Sequence, residues 1–211
     1  MQTPVHMFTA AALCGFAAPP INQPFRFLDL ACGNGLTLAL VADAYPHAEF
    51  IGIDINDDHI KRATERANSA DLKNLRFEVG DVLTLEADNY QPFDYCAVSG
   101  VYSWLDNPRR QSTRDFLSKI VCPGGLVYLD YSTQPGMAQS AALYHLLQEL
   151  SNNYEGSSAE KLSAAAGFAD QMRKDGAVFF QQNPVAASRL ETILKNSPED
   201  EAHEVLNLKE G

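Results

Sequence analysis

A short apolar run that ends in an acidic residue and two closely spaced glycines constrains the fold of this chain more than any other segment. Residues 27–35 read Phe-Leu-Asp-Leu-Ala-Cys-Gly-Asn-Gly, and an apolar, helix-compatible run over 36–45 follows at once. This order is typical of a buried parallel strand, a tight turn and a crossover helix, the first half of a βαβ unit. Glycines in such a turn allow the backbone to approach a nucleotide-like ligand. The segment therefore predicts an α/β enzyme that binds a small molecule.

Strand-like and helix-like segments then alternate along the first part of the chain. Apolar runs predict four strands, at 25–30, 49–54, 93–99 and 126–131, and alternation of apolar and polar residues predicts another at 75–79. Helical spacing of apolar residues predicts the helices 37–45, 56–70 and 108–120. The Pro-Gly-Gly run at 123–125 predicts a turn before the fifth strand. This rhythm is typical of an α/β fold with a doubly wound, mostly parallel sheet.

The character of the sequence changes after about residue 135. Four further segments have helical patterns and none reads as a strand pair, at 137–154, 158–175, 184–196 and 198–207. We therefore expect an N-terminal helix and linker over 1–24, a ligand-binding domain over 25–135, and a C-terminal helical appendage or lid over 136–211.

Charge and composition exclude several classes of function. The formal net charge is −11, which disfavours nonspecific binding to nucleic acids and suits a cationic or neutral partner. No apolar run approaches the roughly 20 residues of a membrane helix, and no basic cluster precedes the apolar residues 10–18, so neither a membrane anchor nor a secretory signal is expected. The four cysteines form no CxxC pair and no metal-ligand spacing with the five histidines. Buried free thiols in a reducing cytoplasm, without a metal site, are the expectation.

The glycine turn departs from that of a dinucleotide site in two respects. Leu38 occupies the position at which such sites place a third glycine for close helix packing. Asp29 lies close to the turn, where its carboxylate would repel a pyrophosphate. The same carboxylate suits a ligand that carries an ammonium and a sulfonium, such as S-adenosylmethionine. An NAD-dependent oxidoreductase is accordingly disfavoured.

Two further acidic residues follow strands at positions that suit an adenosine. Asp54 ends the second strand about 20 residues beyond the glycine pair, where a carboxylate accepts both ribose hydroxyls; a helix cap is the alternative. Asp81 follows the third strand, where a carboxylate accepts a hydrogen bond from the adenine amino group and Val82 offers its amide to the ring. A plain turn is the alternative at this position.

With these three positions in order, residues 25–131 resemble the class I S-adenosylmethionine-dependent methyltransferases, which have a Rossmann-like fold. Residues 28–35 are similar to the first motif of that family, with Ala31 where many members have glycine. The resemblance implies S-adenosyl-L-methionine as the cofactor. It implies cofactor contacts at Asp29, Ala31, Gly33, Asn34, Gly35, Asp54, Ile55, Asp81, Val82, Ser99 and Val101.

A narrower resemblance is carried by residues 99–104, 123–128 and 202–207. These segments are similar to bacterial methyltransferases that carry a regulatory domain, some of them associated with protein-lysine methylation. Those relatives are longer, and their sheet ends in a reversed strand pair that this sequence lacks. We therefore expect the N-terminal part of such a protein or a naturally shortened one.

Methyl transfer from a sulfonium requires mainly that the acceptor be held close to the methyl group and in line with its bond to sulfur. The acceptor is expected at the carboxyl ends of the first and fourth strands. There Tyr102 could orient or deprotonate an amine, and Trp104 could flank the acceptor; the alternative is that both aromatics cover the sheet edge as core. The predicted function is methyl transfer to a protein side chain or a small molecule. A catalytically inactive S-adenosylmethionine-binding regulatory module is the alternative.

Overall fold

The computed structural model describes residues 2–133 and 135–206, which fall into two compact units, Met1–Tyr131 and Ser132–Gly211. The first unit contains helices and strands in alternation: α1 Pro4–Leu13, β1 Arg26–Leu30, α2 Leu36–Ala44, β2 Glu49–Asp54, α3 Asp57–Ser69, β3 Leu75–Val79, β4 Phe93–Val98, α4 Asn107–Ile120 and β5 Val121–Leu129. Short 3₁₀ helices lie at Ala87–Asn89 and Tyr102–Trp104.

The five strands form one sheet in the order β3-β2-β1-β4-β5, and all four strand pairings are parallel. β1 is central, with Leu30 in register with Ile53 of β2 and Val98 of β4. Because the strands are parallel, the residues that follow them meet at one edge of the sheet. This Rossmann-like architecture confirms the predicted fold class.

Both faces of the sheet are covered at its centre, which explains why β1, β2 and β4 are mostly apolar runs rather than alternating ones. Phe27, Phe50 and Tyr95 pack on one face with α2, and Leu28 and Ile53 lie in a second buried cluster with residues of α4. Each of these side chains is nearly inaccessible to solvent. Burial of a side chain of this size contributes about 1.5–3 kcal/mol, so the central strands carry much of the stability of the unit.

The fifth strand differs from its prediction. The turn expected at 123–125 lies within β5, which begins at Val121 and runs to Leu129. Gly124 has a φ of +84°, and the register shifts between Phe93 and Tyr95 of the neighbouring strand. The sheet therefore absorbs the Pro-Gly-Gly run as an irregularity, because pairing with β4 overrides the local preference for a turn.

The described residues of the second unit form helices joined by turns, with no strand: α5 Ala138–Ser151, α6 Ser158–Lys174, α7 Val178–Gln182, α8 Pro184–Lys195 and α9 Pro198–Leu206. It has its own core, which includes Leu143, Leu162 and Leu190. The capping box of Ser157 and Glu160 starts α6. α7 was not predicted, since five residues are too few to show a helical period; Asn207, the predicted end of α9, lies outside the described residues. No helix in the described part of the chain has the length and apolar character needed to cross a membrane.

Candidate functional site

The loop after β1, residues 31–35, is fastened to the end of β2. The amide N–H groups of Ala31 and Cys32 both donate to the carbonyl of Ile53, at 2.7 and 3.1 Å. The amide of Gly33 donates to the Asp54 side chain at 2.9 Å. These contacts fix the loop beside β2 and bring the first two acidic positions of the sequence together.

The two glycines of this loop have different roles. Gly33 has a φ of +56°, and a Cβ placed on it would meet nothing within 4 Å. Gly35 has a φ of +69°, but a Cβ there would lie 2.4 Å from the ring of Phe77 and 2.7 Å from Ala63. Gly35 is therefore required for packing against β3 and α3, and its contact with a ligand stays a prediction. Only Gly33 borders open space.

Two other residues of the loop are constrained by its conformation. Ala31 has a φ of +68°, a left-handed conformation that costs a non-glycine residue about 1–2 kcal/mol. The side chain of Asn34 accepts a hydrogen bond from the amide of Leu36 at 3.2 Å, and its carbonyl accepts one from Arg66. Asn34 thus stabilises the start of α2.

Asp29 is a buried carboxylate without a neighbouring cation. It is 3% exposed, and no hydrogen bond or ion pair to its side chain occurs among residues 2–133 and 135–206. Burial, and then the negative charge of Asp54, raise its pKa to about 7. An unpaired carboxylate with such a shift at the ligand-binding edge of an α/β sheet is typical of a functional site.

Asp54 is held by backbone amides on both of its oxygens. Oδ2 accepts from Gly33 at 2.9 Å, and Oδ1 accepts from Asn56 at 2.9 Å. A carboxylate has about four acceptor positions, so each oxygen retains capacity for a further donor. The helix-cap alternative is wrong, because Asn56 is the N-cap of α3 and its side chain accepts from the amides of Asp58 and His59. Ile55, between them, is largely exposed.

Asp81 opens a turn and also forms an ion pair. Its Oδ1 accepts from the amide of Leu83 at 3.0 Å, and its Oδ2 accepts from Nη2 of Arg109 at 2.9 Å. The Leu83 amide and then Arg109 lower the pKa of this carboxyl group, with burial opposing them. Val82 packs against the cluster that contains Leu28.

The segment that connects β4 to α4, residues 99–106, is held by side chains from other elements. Gly100 donates its amide to Asp130 at 2.6 Å, and the hydroxyl of Ser99 donates to the same carboxylate. Val101 packs against the core, on the same side of the sheet as Phe116. The start of the segment is therefore tied to the residue that follows β5.

Tyr102 lies among cations and a second tyrosine. Its hydroxyl accepts a hydrogen bond from Nη1 of Arg114 at 3.0 Å, and its ring centroid lies 6.1 Å from that of Tyr131. Arg110 lies over the same ring, with Cζ 5.9 Å from the centroid. Tyr102 is half-buried rather than part of a core cluster. The side chain of Trp104 lies outside the described part of the chain.

Comparison with known proteins shows the family to which the chain belongs. The family model described as a methyltransferase domain matches residues 21–202. The chain belongs to the methyltransferase domain family. The resemblance to class I methyltransferases is thereby confirmed at the level of family and fold.

Relatives of this methyltransferase domain are longer than the chain. An uncharacterized protein of Synechocystis sp. is 30% identical over 205 residues, which cover 97% of this chain and 40% of that protein. Trans-aconitate 2-methyltransferase of Methylobacterium nodulans is 31% identical over 109 residues, 52% of this chain and 39% of the enzyme. The chain thus spans about two fifths of the length of these relatives.

Among solved structures, PKMT2 from Rickettsia typhi has the same fold. It superposes with a TM-score of 0.77 at 21% identity, over 97% of this chain and 38% of that one. The same protein in complex with AdoHcy superposes with a TM-score of 0.71 at 24% identity, over 83% of this chain and 32% of that one.

The methyltransferase domain gathers the sequence-predicted positions in two groups. Gly33 and Asp54 are connected by a hydrogen bond, and the charge of Asp54 acts on the pKa of Asp29. Ser99 and Tyr102 both lie in the β4–α4 segment. Sequence reasoning missed Arg109 and three further residues that organise the second group: Asp130, Arg110 and Arg114. One signal was present, since an acidic residue follows β5 much as Asp54 ends β2. Among the described residues, no cluster of His, Cys, Asp and Glu side chains could hold a metal ion.

Proposed function

We propose that this methyltransferase domain binds S-adenosyl-L-methionine at the carboxyl edge of its sheet and transfers the methyl group to a protein side chain or a small-molecule acceptor. The observation that carries the proposal is the set of carboxylates at the ends of three adjacent strands, Asp29, Asp54 and Asp81, beside a loop in which Gly33 borders open space. The complex of PKMT2 from Rickettsia typhi with AdoHcy, the demethylated product of this cofactor, supports the same choice.

The residues present fit this cofactor in their chemistry. Asp29 is buried without a cation, so a bound ammonium or sulfonium would compensate its charge. The free acceptor positions of Asp54 suit the two vicinal hydroxyls of a ribose. Asp81 is kept ionised and therefore acts only as an acceptor, as an adenine amino group requires. Ala31, Asn34, Gly35, Ile55, Val82, Ser99 and Val101 complete the proposed set of cofactor contacts.

The protein's part in the reaction is positioning. S-adenosylmethionine, when bound, supplies a methyl group already activated by a sulfonium. The β4–α4 segment would orient the acceptor, because it follows the strand next to β1 at the same edge of the sheet. We assign Tyr102 as the residue that hydrogen-bonds the acceptor through its Oη, which Arg114 already holds in place, and Trp104 as an acceptor-side aromatic. The net charge of −11 favours a cationic or neutral acceptor.

Calorimetric titration tests the binding half of the proposal. S-adenosylmethionine and S-adenosylhomocysteine should bind to the wild-type protein, and NAD should not. Binding of NAD alone would overturn the assignment.

Incubation with a cofactor labelled on its methyl group, together with a bacterial lysate separated into protein and small-molecule fractions, tests the transfer half. Label in the protein fraction identifies a protein acceptor, and label in the other fraction a small molecule. Cofactor binding without transfer to either fraction would instead support a regulatory binding module.

A further inference from the structure

Arg109 lies between two carboxylates that belong to different parts of the proposed site. Its Nη2 donates to Asp81 at 2.9 Å, and its Nη1 donates to Asp106 at 3.1 Å. Asp81 follows β3 and is the proposed adenine contact, whereas Asp106 ends the β4–α4 segment. One planar guanidinium therefore connects the cofactor side of the site to the segment that carries Tyr102.

Arg109 lies at a position that would be unfavourable for a positive charge without its two carboxylate partners. It lies in the first turn of α4, where the helix dipole disfavours positive charge. Asp106, the N-cap of that helix, accepts from the backbone amide of Arg109 at 3.0 Å and binds its guanidinium as well. The two carboxylates offset the unfavourable effect of the helix dipole, and together they fix the orientation of the Arg109 guanidinium between Asp81 and Asp106.

The β4–α4 segment is fastened at both of its ends. Asp130 accepts from Gly100 and Ser99 at the start of the segment, and Arg109 binds Asp106 at its end. Arg110 donates to the carbonyl groups of Tyr102 and Ser103 between these points. Arg109 differs from these other contacts in that it also reaches Asp81, the proposed adenine contact beyond β3.

We propose that Arg109 is a positioning residue that couples occupancy of the adenine end, through Asp81, to the placement of the β4–α4 segment on the acceptor side. This inference rests on the proposed function. A ligand that donates a hydrogen bond to Asp81 limits the orientations of that carboxylate. Because Arg109 binds both Asp81 and Asp106, it then limits the positions of Asp106 and of the segment that ends there. Binding of the cofactor thereby sets the geometry in which Tyr102 meets the acceptor.

The chain provides its own probe of the segment. Trp104 is the only tryptophan in the sequence and lies in the 3₁₀ helix of the β4–α4 segment. Its fluorescence therefore reports on the segment, while calorimetry with S-adenosylhomocysteine reports on binding itself. The two measurements separate loss of coupling from loss of affinity.

The test compares wild-type protein with Arg109→Gln and Arg109→Lys. Saturating S-adenosylhomocysteine should change the Trp104 fluorescence of the wild type, and the change should be much smaller in Arg109→Gln. The dissociation constant of Arg109→Gln should rise only about two- to fivefold, the range that a partly exposed ion pair supports. Arg109→Lys keeps the charge but cannot span both carboxylates with a planar fork, so its fluorescence response should be intermediate.

Arg76→Gln is the matched control, because Arg76 also pairs with two carboxylates, Glu49 and Glu78, and neither of these is a proposed cofactor or acceptor contact. It should leave the dissociation constant and the fluorescence change as in the wild type. A full fluorescence change in saturated Arg109→Gln, or an equal loss in Arg76→Gln, would refute the coupling. A wild type that does not bind S-adenosylhomocysteine in the calorimeter would refute the proposed function itself.

Discussion

Each of the two units buries a carboxylate among its described residues, and the surroundings of the two differ. Glu201, in the helical unit, is 6% exposed and accepts hydrogen bonds from both terminal nitrogens of Arg189, at 3.2 and 2.6 Å, and from Asn196 at 2.6 Å. Asp29, in the sheet unit, is 3% exposed and has no such partner in the described chain. Buried charges are normally paired, so the unpaired one requires another explanation.

The difference separates a stabilising carboxylate from one kept for a ligand. Glu201 in α9 binds Arg189 in α8 and so joins these two helices. Arg189 also donates to the hydroxyl of Tyr144 in α5 at 2.7 Å. Asp29 has no such partner among the described residues; burial, and then the negative charge of Asp54, raise its pKa. A fold can keep such a buried, unpaired carboxylate at a site where a bound cationic ligand compensates its charge. The following experiments test this interpretation, from the largest expected effect to the smallest.

Removal of the paired carboxylate should have the largest effect on stability. Glu201→Ala deletes a largely buried carboxylate that accepts from both terminal nitrogens of Arg189, which should lower the free energy of unfolding by about 3–5 kcal/mol. Urea denaturation followed by circular dichroism measures the loss. Glu191→Ala is the matched control, because Glu191 is 48% exposed and pairs with Arg173 at 3.3 Å; its cost should stay below about 1 kcal/mol. Equal losses of unfolding free energy in the two variants would show that the buried pair of Glu201 stabilises the helical unit no more than an exposed pair does.

Neutralisation of the unpaired carboxylate should act in the opposite direction and depend on pH. The pKa of Asp29 is about 7 in the folded protein and near 3.8 when unperturbed. Between these values the native state binds more protons than the unfolded state, so stability falls as pH rises from about 4 to 7 and is then constant. The drop amounts to at most about 4 kcal/mol, and Asp29→Asn should lack it. Urea denaturation of both proteins at pH 5 and pH 8, without cofactor, measures the difference; parallel pH profiles would contradict the assignment.

The contrast between these carboxylates also shows which parts of the structure could be predicted from the sequence. Asp29, Asp54 and Asp81 each lie within a short stretch of their own strand end, so apolar runs and spacing were enough to locate them. The pairing of Glu201 with Arg189 spans two helices and follows from packing, which a helical pattern does not describe. Sequence reasoning is therefore strongest where a residue's surroundings are set by its chain neighbours.

The second half of the site shows the same limit. Asp130 contacts Gly100 because β4 and β5 pair in parallel, and Arg109 contacts Asp81 because α4 begins near the end of β3. Neither contact has a local signature. The packing role of Gly35 has no local signature either, since the ring of Phe77 that a Cβ there would meet comes from another strand.

Asp54→Ala should affect binding more than stability. Loss of a charged acceptor should weaken S-adenosylhomocysteine binding by about 1–3 kcal/mol, measured by calorimetry. Asp58→Ala, at an exposed position in the first turn of α3, is the control and should bind as the wild type does. If Asp54→Ala is folded and its affinity is unchanged, Asp54 is not part of the site, and the charge next to Asp29 would need a different explanation.

Ala31→Gly should produce the smallest change. Relief of the left-handed conformation at φ +68° is opposed by the greater freedom of glycine in the unfolded chain, so the net gain in stability should be at most about 1 kcal/mol. Asp71→Gly is the matched control: Asp71 has a φ of +55° in the turn between α3 and β3, away from the loop 31–35. A similar gain in both variants would mean that strain at Ala31 is an ordinary property of a turn. In that case the unpaired charge of Asp29, rather than backbone strain, distinguishes the sheet edge from the helical unit.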